Sequence, residues 1–201
     1  MKTLKIRITF TEEVLGTAPN NEEIYADFIG SKAPDAKKMS EEIEAVGPEG
    51  VIEKSMTVFP RNEDDEPIFW DYQIKGFFKD ACGSLRKIYG ACKQIKAYKK
   101  EIDGLIFPEP RRIVIHKPEG AKVMDIDYCQ RPLRASTAQG ERIALAMSET
   151  VPSGCYIDLD VTVLKDDLTK MIEQCLDYGK LRGIGQWRNS GKGRFEWEYR
   201  E

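Results

Sequence analysis

Residues 155–199 read CYIDLDVTVLKDDLTKMIEQCLDYGKLRGIGQWRNSGKGRFEWEY and carry the clearest secondary-structure signal of the chain. The first ten residues alternate apolar and polar side chains, which is typical of a half-buried strand. Residues 167–178 then show helical spacing, with one apolar stripe formed by Leu168, Met171, Ile172, Cys175 and Leu176. A glycine-rich segment follows, and a second alternating strand runs from Arg194 to Tyr199. The stretch therefore predicts a strand, a helix, a glycine-rich loop and a strand.

The residues upstream predict a similar set of elements. Alternation predicts a strand over 2–10, and short apolar runs predict strands over 51–59 and 111–117. A basic helix is predicted over about 72–100, which Gly83 and Gly90 weaken or split. Polar helices are predicted to begin at Glu22 and to cover about 35–46, and residues 119–150, with the block 131–142, are predicted to form a long loop.

Two stretches, at about 16–72 and 119–150, interrupt an otherwise simple order of elements. When they are set aside as insertions, the order is β-α-β-β-α-β. This order predicts an α+β fold with a ferredoxin-like (RRM-like) core, in which two helices cover one face of an antiparallel sheet. An N-terminal insertion and a central long loop elaborate that core. Because no repeat or linker is visible, residues 1–201 are interpreted as a single domain.

Composition excludes several classes of protein. The chain has 201 residues, of which 41% are hydrophobic and 32% charged, which is typical of a soluble globular protein. It contains no run of about 18 apolar residues, so we expect no membrane span. Residues 1–10 alternate and lack the apolar region of a signal peptide, so we expect a cytoplasmic location.

The net charge of -3 conceals an alternation of acidic and basic blocks. Residues 75–117 carry 11 Lys/Arg against 4 Asp/Glu, a net of +7, and residues 180–200 carry 6 against 2, a net of +4. The acidic blocks are 1–74, with 8 Lys/Arg against 16 Asp/Glu, and 118–179, with 6 against 11. A fold that joins the two basic blocks would have a positive face despite its acidic total, although charged runs are also common on ordinary solvated surfaces.

The segment 183–193 has the strongest functional signal. It holds four glycines in eleven residues, interleaved with cations and one tryptophan, which is more than a structural turn requires. Exposed backbone N–H groups can bind phosphate, and an indole ring can stack on an unpaired base. The residues predicted to bind the phosphates and bases of a single-stranded nucleic acid are Lys75, Lys79, Arg86, Arg131, Arg134, Arg182, Gly183, Gly185, Trp187, Arg188, Gly191, Lys192, Gly193 and Arg194.

Three segments resemble the RAMP superfamily, the repeat-associated RNA-binding proteins of CRISPR effector complexes. Residues 183–193 resemble its C-terminal glycine-rich loop, residues 73–88 (QIKGFFKDACGSLRKI) its Lys-Gly helix entry, and residues 149–155 (ETVPSGC) its Glu-x-Val-Pro-x-Gly entry into a strand. Lys192 departs from the family, which usually has a hydrophobic residue between the last two glycines. The resemblance implies a ferredoxin-like core and a single-stranded-RNA-binding subunit of a CRISPR-type or related ribonucleoprotein. Effector-complex subunits or further copies of the chain are its expected partners.

Two alternatives remain open at this point. A diverged RAMP-like protein encoded by a phage or mobile element fits the residues equally well, and the acidic cluster Glu63–Glu66 would let it dock on and inhibit a bacterial defence complex. A metal-independent endoribonuclease would use His116 as its general base. A lone histidine near a strand end is more often structural, so the prediction leans away from catalysis.

No cofactor or metal is expected from the sequence. The five cysteines, Cys82, Cys92, Cys129, Cys155 and Cys175, form no C-x-x-C pair and are interpreted as reduced, mostly buried thiols. Asp158 and Asp160 share one strand face and could reach one cation, but they are interpreted as solvent-facing strand residues.

Overall fold

A computed structural model describes residues 1–20, 56–88, 90–123, 126–137 and 140–201 of the chain. The helices predicted from Glu22 and over 35–46, and the first part of the predicted 51–59 strand, lie outside these residues. The described strands are β1 (Lys2–Phe10), β2 (Val14–Leu15), β3 (Ala18–Pro19), β4 (Thr57–Val58), β5 (Ile68–Trp70), β6 (Ile106–Glu109), β7 (Arg112–His116), β8 (Asp127–Thr137), β9 (Gly140–Val151), β10 (Tyr156–Val163) and β11 (Phe195–Tyr199). The described α-helices are α1 (Asp71–Leu85), α2 (Ala91–Gln94), α3 (Tyr98–Leu105) and α4 (Asp167–Arg182).

Backbone contacts divide the chain into two compact units. The first unit comprises residues 1–14, 60–125 and 151–201, and the second comprises residues 15–59 and 126–150. The second unit overlaps the two stretches that were set aside as insertions.

The first unit is built on an antiparallel sheet. Its strand order is β11-β1-β10-β7-β5, and β6 pairs with β10 beside β7. The predicted alternation is confirmed in the two central strands, where Ile6 lies opposite Leu159 and Ile8 opposite Ile157, all of them buried. Truncating one such isoleucine to alanine costs about 2–5 kcal/mol of stability, because the lost contacts leave a cavity.

Helices α1 and α4 supply the apolar layer against this sheet. The ring of Phe77 in α1 meets the ring of Phe195 in β11, with centroids 5.5 Å apart. Gly179 in α4 lies so close to Phe195 that a β-carbon there would overlap the ring. This glycine therefore lets α4 approach the edge strand, and the two helices and the sheet enclose one core.

The basic helix predicted over 72–100 is shorter than expected. Helix α1 begins after Trp70, whose backbone N–H donates to Gln73 Oε1 at 2.7 Å, and it ends at Leu85. Gly83 stays helical, whereas Gly90 adopts φ +94° and a β-carbon there would overlap the side chain of Gln174. The chain therefore turns at Gly90 and continues as the separate helices α2 and α3.

Strand β6 was not predicted, and it contains Pro108, a residue that is unusual within a strand. It pairs with β10 nonetheless, with Pro108 opposite Val161.

The prediction of a long loop over 119–150 is wrong. Residues 127–151 form an antiparallel hairpin of β8 and β9, in register from Asp127 opposite Thr150 to Thr137 opposite Gly140. Pro132 and the scattered arginines interrupt the alternation of apolar and polar residues, but the two paired strands satisfy each other's backbone hydrogen bonds. The second sheet has the order β2-β9-β4-β3, with β8 on β9.

Polar contacts connect the strands of the second sheet. Thr57 Oγ1 and Ser148 Oγ lie 2.6 Å apart, and the buried Glu149 accepts the Phe59 N–H through Oε2 at 2.7 Å. Strand β4 confirms the end of the predicted 51–59 strand.

Candidate nucleic-acid interface

The glycine-rich loop links the end of α4 to β11 and is closed by backbone contacts. The Ile184 N–H donates to the Gly193 carbonyl at 2.9 Å, and the Gly193 N–H donates to the Glu13 carbonyl at 2.7 Å. A β-carbon on Gly193 would overlap the Ile184 carbonyl oxygen, and one on Gly183 would lie 2.5 Å from the Lys192 carbonyl oxygen. Two of the predicted binding glycines therefore serve to bring the two ends of the loop together.

Trp187 lies at the outer part of this loop. Its backbone is left-handed, with φ +53°, a conformation that costs a non-glycine residue about 1–2 kcal/mol. Ser190 supports it by donating both its N–H and its Oγ–H to the Trp187 carbonyl, each at 3.0 Å. The side chain is 40% exposed, so the loop holds an aromatic surface in contact with solvent.

The loop arginines reach helix α1. Arg188 Nη1 lies 2.6 Å from Asp80 Oδ2, and Arg182 Nε lies 3.5 Å from the same oxygen. Arg182 also donates through Nη1 to Asn189 Oδ1 at 2.7 Å. Asp80 belongs to the 75–117 block and both arginines to the 180–200 block, so the fold brings the two basic blocks into contact.

The other loop cations are placed differently. Lys192 Nζ lies 2.8 Å from Glu13 Oε2, which ties the loop to the short segment between β1 and β2. Arg194 is exposed, and its carbonyl accepts the Thr11 N–H at 2.9 Å. Gly185 and Gly191 have φ of +86° and +87°.

The cations predicted on α1 point to α3 and β6. Lys75 Nζ lies 4.6 Å from the centre of the Phe107 ring, and Lys79 pairs with Asp103. The Arg86 guanidinium lies 5.0 Å from the centre of the Tyr98 ring. These three side chains therefore extend along α1 rather than gathering at the glycine-rich loop.

Arg131 and Arg134 belong to strand β8 of the second unit. Arg131 is 8% exposed, which leaves little of its guanidinium for a phosphate. The predicted grouping of these arginines with the glycine-rich loop stays a prediction.

His116 lies at the end of β7, on the sheet face opposite to the buried Ile115. Its ring packs against Tyr156, with centroids 5.4 Å apart. The contact is that of a strand residue with its cross-strand neighbour.

That open sheet face carries a network of ion pairs. Arg7 donates to Asp158 through Nε and Nη2, each at 2.8 Å, and Arg200 pairs with Asp160 at 2.5 Å. Burial opposes ionisation of Asp158, but the Arg7 hydrogen bonds and the charge of Arg200 outweigh it and hold its pKa below the ordinary value. The two aspartates are strand residues that pair with arginines across the sheet.

Carboxylates of the acidic cluster Glu63–Glu66, on which the docking alternative depends, already have partners within the chain. Glu63 pairs with Arg112 at 3.0 Å, and Glu66 accepts from Asn62 Nδ2 at 2.8 Å and lies 3.5 Å from Lys122. The cluster therefore includes carboxylates that the chain already neutralises.

Four of the five cysteines are buried, as predicted, and Cys129 is half-buried. Cys92 Sγ and Cys175 Sγ lie 3.7 Å apart between α2 and α4. Hydrogen bonds to Cys82 and Cys92, together with burial, raise the pKa of Cys175, so its thiol stays protonated at neutral pH.

Sequence reasoning missed Asp80 and Glu13, the carboxylates that hold the loop cations. Asp80 carried one usable signal, since it is the only acidic residue between Lys75 and Lys100.

No helix among the described residues has the length and apolarity that crossing a membrane requires.

No family profile matches the chain, and a search of curated proteins finds no relative. Among solved structures, a chain of a type IV-B CRISPR complex is similar with a TM-score of 0.52 and 8% identity, over 99% of this chain and 90% of that chain. The likeness shows that this chain shares the fold of that chain, and at this identity it shows the fold alone.

Two further structures are similar with TM-scores below 0.5. A chain of the type III-B Cmr-beta structure, bound to cognate target RNA, has a TM-score of 0.49 at 12% identity over 99% of this chain. This chain spans 58% of the length of that one. Cmr6 from Pyrococcus furiosus has a TM-score of 0.46 at 10% identity, over 97% of both chains.

Proposed function

We propose that the chain binds single-stranded RNA as a RAMP-like subunit of a CRISPR-type or related ribonucleoprotein. The observation that carries the proposal is the contact of Arg182 and Arg188 with Asp80, which joins the two basic blocks beside the exposed Trp187. Two arginines share one carboxylate there, so the cluster keeps a net positive charge. The fold of the type IV-B CRISPR complex chain supports the effector-complex setting by analogy.

We assign the core to the ferredoxin-like βαββαβ arrangement. The strand order β11-β1-β10-β7 supports this assignment if β1, β7, β10 and β11 are taken as the first to last core strands. The first and third then lie at the centre, with the last and second beside them. Helix α1 follows the first core strand, and α4 follows the third. In this arrangement the glycine-rich loop enters the last core strand next to β1.

The two arginines and Trp187 have different roles in binding. The forked guanidinium groups of Arg182 and Arg188 have donors beyond those used by Asp80, and they can bind phosphate oxygens. Trp187 offers a plane on which one unpaired base stacks, which is worth about 1–3 kcal/mol per base. Neither contact reads a specific base, so we expect affinity with little sequence preference.

The proposal is tested by titrating the protein into labelled single-stranded RNA at several salt concentrations and following fluorescence anisotropy. Each phosphate contact contributes about -0.7 to the slope of log K against log salt on single strands. The double variant Arg182→Ala/Arg188→Ala should therefore lower the magnitude of the slope by about 1.4. Trp187→Ala should weaken binding at least about fivefold, the equivalent of 1 kcal/mol.

The matched control is Lys2→Ala/Lys170→Ala, which removes two exposed cations that lie away from the loop. For this control, the slope of log K against log salt should change only as much as the loss of two positive charges anywhere on the surface would change it. Unchanged binding by the arginine variant, or no binding by the native protein, would refute the proposal. Co-purification with a protein partner and no nucleic acid would favour the docking alternative instead.

A further inference from the structure

A second surface lies next to the loop, between helices α1 and α3. It is a groove of about 610 Å³. Its lining includes Asp80, Gly83, Ser84, Lys87, Tyr98 and Lys99. Asp80 lies at the boundary of the two surfaces, because the same carboxylate accepts the loop arginine Arg188 at 2.6 Å. The groove is therefore continuous with the glycine-rich loop.

The groove is electropositive. Lys87 and Lys99 are both exposed, and neither forms an ion pair with another residue in the described part of the chain. The one carboxylate that lines the groove, Asp80, is shared by two arginines. An anion that entered the groove would meet two uncompensated ammonium groups.

The shape of the groove depends on Gly83. A β-carbon at this position would lie 2.9 Å from Tyr98 Oη, so the glycine is what lets the tyrosine approach α1. Arg86 lies over the Tyr98 ring, and its Nε is buried without a hydrogen-bond partner. The Ser84 and Tyr98 hydroxyl groups line the same groove and can donate to oxygen atoms of a ligand.

We infer that single-stranded RNA continues from the glycine-rich loop into this groove, where Lys87 and Lys99 bind its phosphates. Ser84 and Tyr98 donate hydrogen bonds to phosphate or ribose oxygens of the same segment. The inference rests on the proposed function, because the groove extends the path that begins at Arg182 and Arg188. It extends the binding site to residues of α1, of the turn that follows α1 and of α3, none of which belongs to the glycine-rich motif.

The test compares two double variants, Lys87→Ala/Lys99→Ala and Arg182→Ala/Arg188→Ala, on oligouridylates of increasing length. The groove variant should bind the shortest oligomers like the native protein. On longer oligomers the magnitude of its salt slope should fall by about 1.4, since two phosphate contacts are lost. The variant Lys87→Arg/Lys99→Arg keeps both charges and should restore the slope, and Lys2→Ala/Lys170→Ala serves as the control for total charge.

The outcomes separate the two proposals. If the loop variant weakens binding at every length and the groove variant changes nothing, the groove inference is overturned and the proposed function stands. If neither variant changes binding, both fail. If only the groove variant weakens binding, the groove binds RNA independently and the continuous path is overturned.

Cross-linking gives a readout that does not depend on variants. RNA substituted with 4-thiouridine should, on irradiation, attach to the peptide that contains Tyr98 as well as to the loop peptide of Trp187. Cross-links confined to the loop peptide, with long RNA bound, would overturn the inference.

Discussion

Replacing Gly193 with alanine is expected to destabilise the protein far more than replacing Gly191, two residues away in the same loop. Both glycines have a left-handed backbone, with φ of +71° and +87°. Each alanine therefore incurs a conformational cost of about 1–2 kcal/mol. The two positions differ in what the new β-carbon would meet.

At Gly191 the nearest atom is Cζ of Arg194 at 3.4 Å, the end of a flexible side chain that can move. At Gly193 the β-carbon would overlap the Ile184 carbonyl oxygen, which belongs to the backbone. Relieving that overlap breaks the Ile184–Gly193 hydrogen bond of 2.9 Å and strains the Gly193–Glu13 bond of 2.7 Å. Two backbone hydrogen bonds contribute about 1 kcal/mol each, so the total for Gly193→Ala is about 3–4 kcal/mol.

The assay is urea unfolding followed by tryptophan fluorescence, with thermal melting as a second probe. At about 2–4 °C per kcal/mol for a chain of this size, Gly193→Ala should lower Tm by roughly 6–16 °C and Gly191→Ala by roughly 2–8 °C. Gly76→Ala is the opposite control, because Gly76 lies exposed in α1 with nothing within 4 Å of a β-carbon. It should stabilise the helix by about 0.5–1 kcal/mol. Equal losses at Gly191 and Gly193 would refute the assignment of Gly193 to loop closure.

Three further outcomes are expected. Asp80→Asn should tighten RNA binding about threefold at low salt, because it removes a negative charge whose repulsion of a phosphate at an assumed separation of about 6 Å is roughly 0.7 kcal/mol in water; weaker binding would mean that the carboxylate positions the arginines. The hydrogen bond from Asn62, and the charge of Lys122, hold the pKa of Glu66 below its ordinary value of 4.5 despite burial. The contribution of Glu66 to stability is therefore present above the ordinary pKa and lost as pH falls through the lowered pKa. The variant Glu66→Gln should then lose less unfolding free energy than the native protein between neutral and acidic pH. An unchanged pH profile would contradict this. With a thiol reagent, only Cys129 of the five cysteines should react quickly in the native protein, and all five after unfolding; several fast thiols at neutral pH would show that the cysteines between α1, α2 and α4 are accessible.

The elements with regular periodicity were predictable. Strands β1 and β10 and helix α4 follow the apolar spacing of the sequence, because a strand face repeats every two residues and a helix face about every 3.6. Two of the strands that were missed share one feature. Prolines interrupt both β6 and β8, and a proline argues against a strand although an edge or hairpin position tolerates it.

The candidate site was predictable only in its parts. The glycine-rich loop, its cations and Trp187 were recognised from composition and spacing. Their partners were not, because Asp80 and Glu13 are distant in sequence from the residues that they bind. The groove with Tyr98 and Lys99 was also missed, since its two walls come from helices that the sequence predicts as one.

Local periodicity thus determined the regular elements β1, β10 and α4, because backbone geometry repeats over a few residues. The ion pairs of the loop, in contrast, join residues that are far apart in the sequence. Arg182 and Arg188 are 102 and 108 residues from Asp80, and Lys192 is 179 residues from Glu13. Such contacts form only after the sheet order β11-β1-β10 places the C-terminal loop beside the first strand and the first helix. The contact between the two basic blocks is therefore a product of packing, since an ion pair depends on distance in space and not along the chain.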